Sequence, residues 1–198
     1  MKHIVHPEIR RHLQHYVDAG FYADLTISDL ASSRAREQGM KPAFIDDNMV
    51  VTFSDCDRMA TALAAAMLGE GLVAGDVVAF LLPNWHEAAI INLAAARIGL
   101  VVMPIIPIYR HAEIGFMLRD SGARMIFTMA NFRGFDHHGM LMELAAGLPD
   151  LDLIVAVRCA PSAGDFAAML AAGEGRSPKL PRVNPNGVKL RLYTSGTT

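Results

Sequence analysis

Cysteine, runs of like charge and unbroken apolar stretches are what this chain has least of. Cys56 and Cys159 are its only two cysteines in 198 residues, too few for a disulfide framework or a thiolate metal site built within the chain. That scarcity fits a reducing, cytoplasmic compartment. Eighteen basic residues against twenty acidic ones leave a formal charge of −2, and no five or six like charges cluster anywhere, so nucleic acid is not an expected partner. Met1 to His15 carries charges and histidines where a secretory leader would be continuously apolar. The nearest approach to a membrane span, Ala88 to Ile108, holds Arg97 near its middle, which opposes insertion by roughly 2.5–3.5 kcal/mol, and then Pro104 and Pro107. A helix followed by a strand accounts for it better. No low-complexity tract is present, and no repeat beyond a β-α unit.

What the chain does have is apolar content: 52% of residues, with 19% charged, against roughly 45–50% and 25% in an average soluble domain. The surplus suggests surface meant to be covered by something outside the chain. The length suits one domain, or one with an incomplete part of a second.

Periodicity predicts helices over Glu8–Ala19, closed by Gly20, and from Thr26 or Ser28 toward Gln38. Ala43–Asp46 and Val50–Phe53 flank a turn-forming Asp-Asp-Asn cluster and read as a hairpin. Ser54 with Asp57 resembles a capping box opening an amphipathic helix that Gly69 ends. Val77–Leu82 is a continuous apolar run, as in a strand covered on both faces. Asn84, with Glu87 three residues on, can cap the next helix, whose buried stripe is Ile90, Ile91, Ala94, Ala95 and Ile98 and whose stop is Gly99. The order then repeats: strand Leu100–Met103, helix His111–Asp120 stopped by Gly122, strand Arg124–Thr128, a helix in the later half of Phe132–Leu148, strand Leu153–Val157 and helix Phe166–Ala172. Such alternation demands parallel pairing with right-handed crossovers, hence an α/β fold with a mostly parallel sheet and helices on both faces. Gly173–Gly187 reads as an exposed connector, and Val188–Tyr193 as a new strand.

That strand runs directly into Thr194, Ser195, Gly196, Thr197 and Thr198. Glycine lets backbone approach an anion closely, successive amide N–H groups form a concave nest, and hydroxyls add donors around phosphate oxygens. It is not a Walker loop, since Gly-x-x-x-x-Gly-Lys-Ser/Thr occurs nowhere. Composition alone leaves phosphate binding and a plain polar turn both open.

Tyr193-Thr194-Ser195-Gly196-Thr197-Thr198 resembles the opening of the Tyr-Thr-Ser-Gly-Thr-Thr-Gly-x-Pro-Lys-Gly loop of AMP-forming acyl-CoA synthetases and their adenylating relatives. Asp76 to Asn84 is similar to that family's strand-then-Pro-Asn segment, Ala96 to Gly99 with Pro104 to Pro107 to its helix-Gly-strand-Pro segment, and Glu113 with Leu118 to Ala123 continues in register. The resemblance runs from about Tyr16 onward. It implies a two-step reaction in which a carboxylate attacks ATP to give an acyl adenylate and pyrophosphate, after which the thiol of coenzyme A displaces AMP. It further implies ATP, Mg²⁺ and coenzyme A as cofactors, and Thr194, Ser195, Gly196, Thr197 and Thr198 as holders of the ATP phosphates. Expected partners are a small carboxylic acid, ATP and CoA, with no membrane span and with a homodimer left open.

The loop's second glycine, proline, lysine and third glycine would follow Thr198, as would the acyl pocket. The expectation is therefore an N-terminal portion with residues 1–175 as an α/β subdomain, 176–187 as a connector and 188–198 as the start of the next subdomain. No catalytic residue and no metal ligand is expected within it. Tyr16–Leu25 and Phe132–His138 look similar to ligases for short-chain, alicyclic and aryl acids. An adenylation enzyme that loads a carrier protein, and a non-catalytic flavodoxin-like module, stay open as alternatives.

Several residues draw attention for other chemistry. Gly69-Glu70-Gly71-Leu72-Val73-Ala74 matches a dinucleotide fingerprint, but it follows a helix and precedes a strand, the wrong order for that site. His12 with His15, and His137 with His138, lack a carboxylate or cysteine to complete a metal set. His86 stands next to the Pro-Asn turn at the carboxyl end of a strand, where ligands tend to bind. Arg110, Arg119 and Arg124 could meet coenzyme A phosphates or simply compensate helix ends. The twelve methionines read as core filling.

Overall fold

The structure is a computed structural model that describes residues 7–46, 49–160, 162, 164–176 and 179–194. In chain order the elements are α1 (Pro7–Asp18), α2 (Ile27–Gln38), β1 (Pro42–Asp46), β2 (Met49–Thr52), α3 (Phe53–Gly69), β3 (Val77–Leu81), α4 (His86–Ile98), β4 (Val101–Ile105), α5 (His111–Ser121), β5 (Ala123–Met129), β6 (Asn131–Phe132), β7 (Phe135–Asp136), α6 (His137–Ala145), β8 (Leu153–Val157) and α7 (Phe166–Gly173).

Four apolar runs make one parallel sheet in the order β4-β3-β5-β8. Strands clad on both faces have no reason to alternate in polarity, and Val77, Val78, Ala79 and Leu81 of β3 are all buried. From β3 the chain crosses to β4 through α4, then returns past β3 through α5 to β5 and continues through α6 to β8. Helices α2, α3, α4 and α7 pack together as one layer, and α5 with α6 as another. The reversal of strand order falls between β3 and β5, so the crevice beyond their carboxyl ends is where such a sheet receives a ligand. Pro104 lies within β4, which is an edge strand, the tolerated place for a residue with no N–H to give. β1 and β2 form the expected antiparallel hairpin.

The helix stops fall where predicted: Gly99 and Gly122 take left-handed conformations, with φ of 76° and 62°. Two starts differ from expectation. Helix α3 is capped by Thr52, not Ser54: the Thr52 hydroxyl accepts from the Asp55 N–H and the Asp55 carboxylate accepts from the Thr52 N–H. Asp57 is turned instead toward Arg97. Asn84 does not cap α4 either. Trp85 occupies that position without a side-chain cap, and the Asp46 carboxylate, arriving from the hairpin, accepts the His86 N–H at 3.3 Å. Val188–Tyr193 is extended, but it meets the sheet through one parallel bridge, Leu190 to Val102, and forms no full strand. No helix among the described residues is long and apolar enough to cross a membrane.

Candidate functional site

The segment leading to the hydroxyl-and-glycine run is laid along the outer edge of β4. The Val102 N–H donates to the Lys189 carbonyl and the Arg191 N–H donates to the Val102 carbonyl, both at 2.9 Å. Lys189 Nζ donates to Asn92 Oδ1 of α4 at 2.5 Å, and burial pushes this amine down to about 8. Tyr193 reaches the other helical layer: its phenol donates to Asp120 Oδ2 of α5 at 2.5 Å, and its ring meets Phe116 edge-on at 6.1 Å between centroids. Burial, then the Asp120 carboxylate, raises the Tyr193 phenol above its ordinary range. Arg191 Nη1 lies 3.5 Å from the Asp120 carbonyl.

Leu192 and Tyr193 line a cavity of about 450 Å³ together with Pro83, Asn84, Ile106 and Tyr109, residues that follow the carboxyl ends of β3 and β4. Thr194 is exposed. Of the five residues expected to hold phosphates, Thr194 directly follows Tyr193 of this lining, while Ser195, Gly196, Thr197 and Thr198 lie outside the described residues.

A second group of charges sits at the same end of the sheet. Arg158, directly after β8 and with a φ of 53°, places its guanidinium 4.3 Å from the centroid of the Trp85 ring. It donates to Glu87 through Nε at 2.7 Å and Nη2 at 3.0 Å, and to Asp46. His86 Nδ1 is 3.0 Å from Asp46 Oδ2. The Arg158 hydrogen bond, working against burial and assisted by His86, holds the Asp46 carboxyl at about 2. Burial pushes the Arg158 guanidinium down, but Glu87 and Asp46 outweigh it and raise it. Among the described residues Asp46, His86 and Glu87 are the one group of three side chains that could hold a metal ion. A fixed guanidinium already neutralises their carboxylates, so the chemistry of the set suits an internal ion cluster better than a divalent cation. Sequence reading flagged His86 here and missed Asp46 and Arg158; position after the carboxyl end of a parallel strand was the signal available for Arg158.

The remaining candidates have local work. Arg124 bonds Asp76, Asp152 and the Gly71 carbonyl at the opposite end of the sheet, Arg119 donates to the Gly147 carbonyl, and Arg110 lies over the Phe135 ring and bonds Pro107 and Tyr109 carbonyls. Arg97 is buried, and all five of its N–H groups find acceptors: Nε on Ser28, Nη1 on the Asp57 carbonyl and Thr61, Nη2 on Ser32 and the Asp57 carboxylate. His12 and His15 are exposed, and among the described residues neither belongs to a group of three potential metal ligands. His137 is buried between the Phe135 and Pro107 carbonyls. Gly71 makes a turn with a φ of 78° before β3. Burial pushes the Cys56 thiol up to about 11, and Met67, Met103, Met125 and Met129 are buried core.

Comparison with known proteins identifies the family and the fold. The profile of the family described as AMP-binding enzyme matches residues 31–198. The chain is 32% identical over 186 residues to the medium-chain fatty-acid–CoA ligase of Escherichia coli (strain K12), covering 92% of this chain and 33% of that protein. It is 29% identical over 188 residues to the salicyl-AMP ligase / salicyl-S-ArCP synthetase of Mycobacterium tuberculosis, again covering 92% and 33%. Among solved structures, apo MbtA of Mycobacterium smegmatis superposes with a TM-score of 0.81 at 27% identity, over 93% of this chain and 34% of that one. The anthranilate CoA ligase AuaEII shares the fold, with a TM-score of 0.79 at 19% identity over 91% and 34%. The chain spans about a third of the length of these relatives.

Proposed function

The chain belongs to the AMP-binding enzyme family, and from that membership we propose that it is the N-terminal part of an ATP-dependent acid–thiol ligase acting on a small carboxylic acid. The carrying observation is that Lys189–Tyr193, tied across the β4 edge to both helical layers, brings Thr194 to the carboxyl end of a parallel sheet.

In the first step a carboxylate oxygen bonds to the α-phosphorus of ATP and the α–β bridging bond breaks, giving acyl adenylate and pyrophosphate. In the second the sulfur of a thiol bonds to the acyl carbon, the bond to AMP oxygen breaks, and the thiol proton passes to solvent. Both transition states gather negative charge on oxygen. Backbone amides and hydroxyls of Thr194, Ser195, Gly196, Thr197 and Thr198 are the donors this chain would offer to the departing phosphates. Mg²⁺ is proposed to arrive with those phosphates and contributes charge neutralisation there. Coenzyme A is the proposed acceptor, and residues 1–175, 176–187 and 188–198 are the proposed subdomain, connector and start of the next subdomain.

The test is carboxylate-dependent exchange of labelled pyrophosphate into ATP, with propionate, octanoate, cyclohexanecarboxylate and benzoate. The full-length protein should exchange with at least one acid and then form a CoA thioester. This 198-residue chain, which spans about a third of its relatives' length, should not. Absence of exchange by the full-length protein with every acid would remove the ligase reading. Exchange without thioester formation until a carrier protein is supplied would move the acceptor from coenzyme A to that carrier.

A further inference from the structure

We infer that Asp120 and Phe116 on the outward face of α5, acting through Tyr193, are positioning residues that set the direction in which the phosphate-binding run leaves the sheet. The inference rests on the ligase reading above and goes beyond it by assigning work to a helix that carries none of the loop's residues.

The side chains of α5 divide in two. Ile114, Met117 and Leu118 are buried beneath it, whereas Phe116 is 60% exposed, an unusual place for a phenylalanine with no partner. Phe116 and Asp120 are four residues apart, hence neighbours on one helix face. Both are engaged by a single residue, Tyr193, one by its ring and the other by its hydroxyl. The helix end that carries Asp120 is itself fixed, since Gly122 closes α5 in a left-handed turn and leads directly into β5.

The strap has few other constraints. Its single bridge to β4 lies at Leu190, and Leu190 and Leu192 are exposed. In extended backbone successive side chains face opposite ways, so a slip of one residue would turn every later side chain over. Arg191 and Tyr193 are partly covered and both reach Asp120, while Leu190, Leu192 and Thr194 are exposed. Seating the Tyr193 ring on α5 therefore fixes the rotational register one peptide before the first phosphate-binding hydroxyl. With the phenol anchored, the backbone entering Thr194 is held before the nucleotide arrives, which lowers the cost of ordering that segment around its ligand.

The experiment uses the full-length protein and compares wild type with Tyr193→Phe, Asp120→Asn and the double variant in the pyrophosphate exchange assay, varying ATP and carboxylate separately. Each single variant keeps the ring or the size of its partner and removes one charge-assisted hydrogen bond, so the KM for ATP should rise about tenfold. The KM for the carboxylate should stay within about twofold, and the double variant should be little worse than either single one, because both act on one contact. An unchanged KM for ATP in Tyr193→Phe would overturn the inference. So would a parallel rise in both KM values with a lowered melting temperature, the mark of a purely structural role. Failure of the wild-type protein to exchange at all would instead overturn the ligase reading on which the inference stands.

Discussion

Arg97 sits where water hardly reaches, and every N–H it owns is matched. Ser28 and Ser32 come from α2, Asp57 and Thr61 from α3, and the arginine from α4, so one side chain joins three helices. Removing one member of a buried pair strands its partner, so Arg97→Met should lower stability by roughly 3 kcal/mol. The urea midpoint should fall with the slope unchanged. Arg97→Lys should not restore it, having three donors to offer where five acceptors wait. Lys189 presents the opposite case. Its ordinary value is 10.5 and burial against a neutral amide brings it to about 8. Between those values the unfolded chain holds a proton that the folded chain has released, so this residue makes stability climb as pH rises from 8 to 10.5, and at neutral pH it opposes folding. Lys189→Met should flatten the alkaline climb and raise stability at pH 7 by about 1–3 kcal/mol, measured by denaturation at a series of pH values.

At the scale of elements, small residues set how closely helices approach. A methyl group on Gly173 of α7 would lie 1.8 Å from the Ala62 carbonyl oxygen of α3, so Gly173→Ala must push two backbones apart and should cost about 2–3 kcal/mol. Gly164 has open space around it, and alanine there meets only the backbone cost of a φ of 90°, roughly 1–2 kcal/mol. A thermal melt of the two variants should separate them accordingly. The sheet and its helices were legible because they depend on local signals: apolar runs at Val77–Leu82 and Leu153–Val157, a helical stripe from Ile90 to Ile98, and glycines at 99 and 122. Helix starts were less so. Thr52-x-x-Asp55 and Ser54-x-x-Asp57 carry nearly the same pattern, and what decides between them is that Asp57 is taken by Arg97, 40 residues away. Asp46 replaces Asn84 at the start of α4 for a similar reason. The small β6–β7 hairpin, turned by Arg133 and Gly134 with φ of 52° and 76°, sat inside a stretch read as helical only later on. As for the site, the run from Tyr193 was legible as a motif, whereas its seat on Asp120, 73 residues earlier, was not, since nothing local to either residue announces the other.

Taken whole, the molecule carries more apolar surface than its fold can cover. Phe21 is 75% exposed, Met40 85% and Ile45 75%, and they are joined by Ile108 and Leu192 at the carboxyl end of the sheet. Ile108 and Leu192 share one cavity lining, and grouped exposure of that kind marks surface for an interaction or for another part of a protein. In isolation the chain should bind an apolar fluorescent dye and sediment as more than a monomer at micromolar concentration, and the full-length protein should bind much less of the dye. The single bridge between Leu190 and Val102 also has a meaning in time. Translation proceeds from the N-terminus at roughly 5–20 residues per second, so about two to six seconds separate Val157, which completes the sheet, from Lys189. During that interval β4 waits at the ribosome with its outer N–H and C=O groups unclaimed, a template for any extended chain that passes. Pro104 within that strand shortens the row of donors on offer, and the segment Lys189–Arg191, meeting Val102 once it is made, closes that edge at its middle.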